Sequence, residues 1–404
     1  MPKVAHLLTT FYRGKAAHGR TFALAADQQQ RGWQVEFITG RNADPELIRE
    51  KQEQGFPVTQ ILSLRKYVHP RDELRALAEL VSLFHRKKYD LVHTHWAKPG
   101  ILGRTAGRLA GVKRLVHSVY GPTFAPVLPR RTRLLYRSLE KLASLVTSKF
   151  IFIGKEIQES FIRAGICTPL NSQVIYGGRD ISPFIEAAQF PEPVRQAARK
   201  SLGLTPQDAV IGYTARIVPS KGHIYALRAL RDLKSGDHQG KLVFVGGTWL
   251  SSERGFEAQL KKQIHELGLE NDVLLLGWQE NTAHFYGLFD IFIFPSLYEG
   301  LPGAVLEARA ADLPVVGFNC GGVREILGDN DNLVAIKDVA GLARALQNEI
   351  CRLPETRARR GQNLAELKRL QDRFSVDRML AKTAQLYEDL LDDTATCKNH
   401  RSRI

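Results

Sequence analysis

The feature that most constrains this chain is a rhythm. Short apolar runs, most of them without polar alternation, recur along its length and are separated by longer amphipathic stretches. Such runs suit strands buried on both faces of a parallel sheet, whereas a strand wet on one face would alternate. In the first half the candidate strands are Val4–Thr9, Val35–Thr39, Gln60–Leu64, Leu91–His95, Leu115–Val119, Phe150–Ile153 and Gln173–Tyr176. Helical periodicity marks Thr21–Arg31, Asp72–Lys87 and Gly100–Ala110 between them. The second half repeats the scheme. Its strands are Val210–Tyr213, Leu242–Val245, Val273–Leu276, Ile291–Phe294, Pro314–Phe318 and Leu333–Ala335, with helices near Ile224–Leu233, Glu257–Leu267, Pro302–Ala310 and Leu342–Glu349. Alternation of this kind, twice over, predicts two doubly wound α/β domains.

The segment Asp180–Pro206 carries Pro183, Pro191, Pro193 and Pro206 and marks no strand, so it reads as a linker leading into the second domain. The expected division is residues 1–185, then 186–375. The polar tail beyond Asp392 is expected to fray. In open α/β sheets ligands bind beyond the carboxyl ends of the strands, and two such domains facing each other would place a cleft there. The residues just after each strand are therefore the ones to interrogate.

Charge separates the halves. Residues 1–190 hold 29 Lys/Arg against 15 Asp/Glu, a surplus of 14, while residues 191–404 hold 28 against 27, a surplus of one. A basic first half predicts an anionic partner, such as phosphate groups, nucleic acid or a membrane surface. No apolar run approaches the ~20 residues that span a bilayer. The N-terminus reads directly as a strand, without a signal peptide's apolar core. Cys167, Cys320, Cys351 and Cys397 form no CxxC pair and no zinc-ligand spacing, so a reduced, cytoplasmic protein is expected.

Two segments carry chemistry. In "PSLYEGLPGAVLEA" (295–308) a buried strand ends, a loop presents Glu299 and Gly300, and Pro302 suits the first turn of a helix holding Glu307. The N–H groups around Gly303 and Ala304 point out of that helix end, a ready anion site. Carboxylates beside an anion site suit a ligand bearing both phosphate and hydroxyls, as a nucleotide-sugar does. In "GYTARIVPSKG" (212–222), Arg216 and Lys221 follow a strand end, where two cations could neutralise a diphosphate. Either pair alone would read as ordinary surface charge.

In these motifs the sequence resembles a family 4 glycosyltransferase of the GT-B fold, two Rossmann-like domains facing each other across a cleft. The resemblance rests on the E-x7-E pair Glu299/Glu307, the R-x4-K pair Arg216/Lys221 and "PVVGFNCGGVREIL", with "YDLVHTH" and "VIYGGRD" in the first half, and so covers nearly the whole chain. It implies that Arg216 and Lys221 hold the donor diphosphate, that Glu307 takes the ribose hydroxyls, and that Glu299 lies near the transferred sugar. The backbone of Gly303 and Ala304 would contact phosphate or sugar, with Gly300, Leu301 and Gly212 also on the donor side. The resemblance further implies retention of anomeric configuration and no metal; the nucleotide-sugar is a co-substrate, and no cofactor is expected. The last helix, within 376–404, is expected to cross back onto the first domain.

Arg13, Lys15, His95 and Tyr120 are assigned to the acceptor. Departures from the family pattern fall mainly in this half. The loop after the first strand runs from Arg13 to Arg20 without a Gly-Gly pair, and Tyr120-Gly121 stands where many members have His-Gly. Tyr120 offers a hydroxyl but no near-neutral base. Gly246-Gly247-Thr248-Trp249 lacks the frequent acidic residue. His93-x-His95 has no third ligand at suitable spacing, Asp329-Asn330-Asp331 reads as a turn, and Cys320 as a small buried residue.

In "PRRTRLLYRSLEKLASL" (129–145), Arg130, Arg131, Arg133, Arg137 and Lys141 alternate with leucines at helical spacing. Either the leucines pack onto the sheet or the segment docks on anionic lipid headgroups. The sequence thus points to transfer from a nucleotide-sugar, expected to be a UDP-sugar, to an anionic or lipid-linked glycan of cell-envelope polysaccharide or lipopolysaccharide. The site of action would be cytoplasmic or the inner membrane face. The competing readings are a GT-B sugar-nucleotide epimerase or phosphorylase, and a nucleic-acid binder. The last lacks stacking platforms or a reading helix, and no nucleic-acid partner is expected.

Overall fold

Seven parallel strands build the first sheet of the computed structural model, which describes residues 1–401 except 13–15, 122, 125–127, 235–239, 249–253 and 330–331. The strands of this part of the chain are β1 (Lys3–Leu7), β2 (Thr10–Phe11), β3 (Gln34–Gly40), β4 (Asn42–Ala43), β5 (Val58–Ile61), β6 (Leu91–His95), β7 (Arg114–Val119), β8 (Lys149–Phe152) and β9 (Ser172–Val174). Their order is β5-β3-β1-β6-β7-β8-β9, while β2 and β4 form a separate two-stranded ribbon. Register pairs Val4 with both Val35 and Leu91. Both faces of the sheet are covered, which explains the unbroken apolar runs. The helix Ala97–Leu109 lies close on one face because Gly100, Gly103 and Gly107 leave room. A Cβ at these positions would fall 2.3 Å from the His117 ring, 2.4 Å from Leu7 Cδ2 and 2.4 Å from Leu115 Cδ2.

The second sheet holds β10 (Val210–Thr214), β11 (Lys241–Val245), β12 (Val273–Leu275), β13 (Ile291–Phe294), β14 (Val315–Phe318) and β15 (Leu333–Val334), again all parallel, in the order β12-β11-β10-β13-β14-β15. In both sheets the order reverses beside the first strand. The switch points lie between β1 and β6, and between β10 and β13, where ligands of such sheets bind.

The chain divides into two units, Met1–Gly178 with Val376–Ile404, and Arg179–Ser375. The second unit thus begins at Arg179, whose N–H donates to Phe374 O at 2.9 Å. The segment read as a linker is instead helical, over Ser182–Ala188 and Glu192–Ser201. Pro183 and Pro193 stand in the first turns of these helices, where a missing N–H costs nothing. The helices are anchored by buried Phe184, and by Arg199, which donates to Leu288 O at 2.9 Å and pairs with Asp290 at 2.8 Å.

The last helix, Val376–Arg401, belongs to the first unit. Met379, Leu386 and Tyr387 enter a core cluster with Val4, Leu24, Leu91 and Ile151. Arg114 Nε donates to Leu390 O at 2.6 Å. The helix Arg130–Ser144 turns its leucines outward. Glu140 and Ala143 face inward, while Leu134, Leu135 and Leu142 are 52%, 57% and 64% exposed. Glu140 is drawn in by the buried guanidinium of Arg104, at 2.6 Å. The leucine stripe therefore does not pack onto the sheet.

Candidate active site

At the switch point of the second unit, β10 runs into the loop of Arg216 and Lys221, and β13 into the loop of Glu299. The two loops are tied together. Leu297 N donates to Ser220 O at 2.9 Å, and the Tyr213 hydroxyl at the end of β10 donates to Lys221 O at 2.8 Å. Ser296 Oγ donates to Glu299 Oε1 at 3.0 Å and lies 2.9 Å from the Tyr213 oxygen. Lys221 Nζ pairs with Glu299 Oε1. Burial raises the Tyr213 hydroxyl well above the usual phenol range, so it stays a neutral donor. Arg216 is exposed on the same loop.

Backbone close approach explains the glycines here. Gly222 has φ +70°, and a Cβ would fall 1.9 Å from Pro295 O. Gly321, with φ +57°, lies under the acidic loop, where a Cβ would fall 2.5 Å from Glu299 O. Gly322 N donates to Gly300 O at 2.7 Å, and Cys320 Sγ to Ser296 O at 3.0 Å. The segment "NCGG" is thus a buttress for the Glu299 loop, and Cys320 is a buried part of it.

Glu307 lies on the helix Gly303–Ala310 and is 4% exposed. Its Oε2 accepts from the Tyr286 hydroxyl at 2.7 Å, and its Oε1 pairs with Arg179. Gly303 and Ala304 open this helix, so their N–H groups lack intrahelical acceptors. Leu301 is buried against Gly322, and Gly300 carries the carbonyl that holds the buttress. Gly212 is not brought to this group. It sits mid-strand, paired with Val243 and Phe292, and a Cβ there would fall 2.1 Å from the Phe289 ring, so packing accounts for it. Tyr213, Ser296, Tyr286 and Arg179 were missed by sequence reasoning. Tyr213 and Ser296 lie in or beside strands that the pattern located, Tyr286 lies in the helix Thr282–Leu288, and the partners of all four lie elsewhere in the sequence.

In the first unit, Arg13 and Lys15 lie outside the described residues. His95 does not reach a surface: it is wholly buried, and Tyr120 covers it, with the hydroxyl 2.8 Å from His95 Nδ1. The reason is the β1–β6 pairing, which sets His6 opposite His93 and lets their neighbours stack into the interior. His95 Nε2 meets His6 Nδ1 at 3.0 Å, and His6 Nε2 meets Gln28 Oε1 at 2.9 Å. His93 bonds Ser118 Oγ at 2.8 Å and the Tyr387 hydroxyl. The three rings bring possible metal-ligating atoms within 4.8 Å of one another, yet every ring nitrogen already has a side-chain partner. Gln28 Oε1 can only accept, so His6 donates from Nε2, His95 from Nε2 and Tyr120 from its hydroxyl: a directed chain of neutral groups. Burial pushes His6 down to about 4 and His93 and His95 well below the usual histidine range. Near the surface at this switch point lie Tyr120 and Trp96, both half-buried with ring centroids 5.2 Å apart. Trp96 has φ +66°, a strained conformation for a bulky residue at a strand end. Asp329 pairs with Arg324 at 3.0 Å, while Asn330, Asp331 and Trp249 lie outside the described residues.

Comparison with known proteins bears on both units. Residues 20–182 match the family model Glycosyltransferase Family 4, and residues 194–366 match Glycosyl transferases group 1. The chain is 29% identical over 353 residues to the UDP-Gal:alpha-D-GlcNAc-diphosphoundecaprenol alpha-1,3-galactosyltransferase of Escherichia coli, covering 84% of this chain and 88% of that one. It is 22% identical over 369 residues to the capsular polysaccharide biosynthesis glycosyltransferase CapM of Staphylococcus aureus, covering 89% and 94%. Among solved structures, HepE of Anabaena in complex with UDP and glucose aligns with a TM-score of 0.77 at 23% identity, covering 96% of this chain and all of that one. Together with the two parallel sheets, these matches show that the chain is a glycosyltransferase of family 4, with the GT-B fold.

Proposed function

We propose that this enzyme moves a hexose from a UDP-sugar to a lipid-linked, diphosphate-bearing glycan acceptor during assembly of a cell-envelope polysaccharide, with retention of configuration. The Arg179–Ser375 unit would bind the donor and the other unit the acceptor. The observation that carries the donor reading is the meeting of Lys221, Glu299 and Ser296 at the β10–β13 switch point, on the unit that also holds Glu307 at a helix N-terminus. Support for the finer substrate classes comes from the E. coli relative, whose name specifies UDP-Gal and a diphosphoundecaprenol-linked sugar.

The chemistry follows from where charge grows. Cleaving the bond from the anomeric carbon to the β-phosphate oxygen leaves positive charge on the sugar ring and negative charge on the diphosphate. Lys221, Arg216 and the N–H groups of Gly303 and Ala304 are fixed donors for that negative charge. The departing phosphate oxygen takes the acceptor hydroxyl's proton as the new carbon–oxygen bond forms on the same face. Glu299, anchored by Lys221 and Ser296, orients sugar hydroxyls and is not a nucleophile in this scheme.

On the acceptor unit, the exposed leucines of Arg130–Ser144 lie among Arg130, Arg131, Arg137 and Lys141, themselves exposed. That combination suits an anionic lipid surface, where a lipid-linked acceptor resides. The test is a thermal-shift panel of UDP, GDP and ADP followed by transfer from UDP-hexoses to a polyprenyl-diphosphate sugar. UDP should raise the melting midpoint, and a longer lipid-linked glycan of retained anomeric configuration should form. Release of an epimerised sugar without transfer, or a midpoint raised by GDP or ADP alone, would overturn the reading.

A further inference from the structure

We propose that Arg179 is the positioning residue for ribose recognition, fixing Glu307 so that the enzyme selects ribonucleoside over deoxyribonucleoside diphosphates. The inference rests on the reading of Glu307 as the ribose acid. Arg179 is the first residue of its unit, and its backbone is held there by the bond to Phe374 O. Its guanidinium pairs with Glu307 Oε1 and leans on the first turn of the helix Gly303–Ala310. A Cβ built on Gly303 would lie 3.4 Å from Arg179 Nη1 and 4.0 Å from Glu307 Oε1. The absence of a side chain at Gly303 therefore leaves both groups of the pair open toward that turn.

The geometry gives Arg179 a task that Tyr286 cannot perform. Glu307 is almost wholly buried, and a buried carboxylate needs a counter-charge. The Tyr286 hydroxyl supplies one neutral hydrogen bond, to Oε2. Only Arg179 is seen to bring positive charge to Glu307 among the described residues, and its Nη2 holds Oε1 while the Tyr286 hydroxyl holds Oε2. Each carboxylate oxygen keeps a second lone-pair position. With one oxygen held by Arg179 and the other by Tyr286, the two remaining positions stand in a fixed relation, able to accept two neighbouring hydroxyls. Remove the guanidinium, and Glu307 turns or takes up a proton. It then accepts poorly from a diol, while base and phosphate contacts elsewhere persist. Burial also lowers the affinity of Arg179 for its proton, which its proximity to Tyr286 partly opposes.

The experiment is a calorimetric binding cycle. UDP and 2′,3′-dideoxy-UDP are titrated into the full-length wild type, Arg179→Met, Arg179→Lys and Glu307→Gln, with circular dichroism to verify folding. Wild type should prefer UDP by on the order of 10- to 100-fold, the worth of hydrogen bonds to a charged group. Arg179→Met should bring that preference to within about threefold while binding dideoxy-UDP as wild type does, and Arg179→Lys should fall between, since it keeps the charge but loses the guanidinium's fixed donor geometry. An Arg179→Met protein that keeps the full preference, or that weakens for both ligands alike, overturns the proposal. If Arg179→Met fails to fold, the Arg179→Lys protein decides: an undiminished preference overturns the role, a partial one supports it. A wild type that binds both ligands equally sinks the Glu307 reading itself, whereas Glu307→Gln losing a preference that Arg179→Met retains sinks the Arg179 role alone.

Discussion

At the residue scale, Glu299 and Lys221 act as one unit, because each fixes the other at the end of a strand. Glu299→Gln and Lys221→Ala should each lower kcat by roughly 10²- to 10³-fold, the loss typical of a preorganised charge, with UDP binding weakened mainly by the lysine change. Steady-state transfer assays with UDP titrations check this; full activity in both variants would dismiss the site. Gly222 is a different kind of residue. Its left-handed backbone and its approach to Pro295 O leave no space for a side chain. Gly222→Ala should destabilise the Arg179–Ser375 unit by more than ~1 kcal/mol, read from denaturant midpoints. The acids and the lysine were legible because they stand just after apolar runs in a recognisable spacing. Ser296, Tyr213 and Arg179 were not, since a serine, a tyrosine or an arginine is uninformative until its partner is known. His95 read as a surface ligand for the complementary reason: a strand-end position does not say which ring will cover it.

Two elements were decided by partners far away in the chain. Pro183 and Pro193 signalled a linker, but proline also starts helices, and only buried Phe184 and Arg199 distinguish the cases. In the helix Arg130–Ser144, leucine periodicity left two orientations open, and the buried Arg104–Glu140 pair turns the leucines outward. Removing one partner of such a pair is costly, so Glu140→Ala should destabilise the first unit by roughly 3–5 kcal/mol. The outward leucines carry a separate prediction. Leu134→Gln with Leu142→Gln should leave folding intact and abolish sedimentation with anionic vesicles, while neutral vesicles bind neither protein. Wild-type binding indifferent to lipid charge and salt would dismiss the membrane surface.

Across the whole molecule, the two structural units sharpen the charge asymmetry. Met1–Gly178 with Val376–Ile404 holds 33 Lys/Arg against 18 Asp/Glu, and Arg179–Ser375 holds 24 against 24, so the formal +15 belongs to one unit. Among the histidines buried in the same unit are His6, His93, His95 and His117. Their folded-state affinity for protons is depressed, by burial above all, and for His117 also by Arg104. The unfolded chain binds protons below about pH 6.5 and the folded chain does not, so stability is full above that pH and falls beneath it. Each such histidine should remove about 1.4 kcal/mol per pH unit within its window, which for His6 closes near pH 4. Urea midpoints at pH 7.5 and 5.0 test this, and a midpoint unchanged between them would contradict it. The amino-acid sequence by itself determined the two parallel sheets, the order of their strands along the chain and the loops that bear the acids and cations. Those follow from local periodicity, which each segment carries within itself. Tertiary structure alone decided that Arg179 meets Glu307, that Tyr120 closes over His95, and that a leucine-bearing helix faces outward. Those outcomes depend on compensating buried charge and on packing between residues far apart in the chain, and no local pattern encodes either.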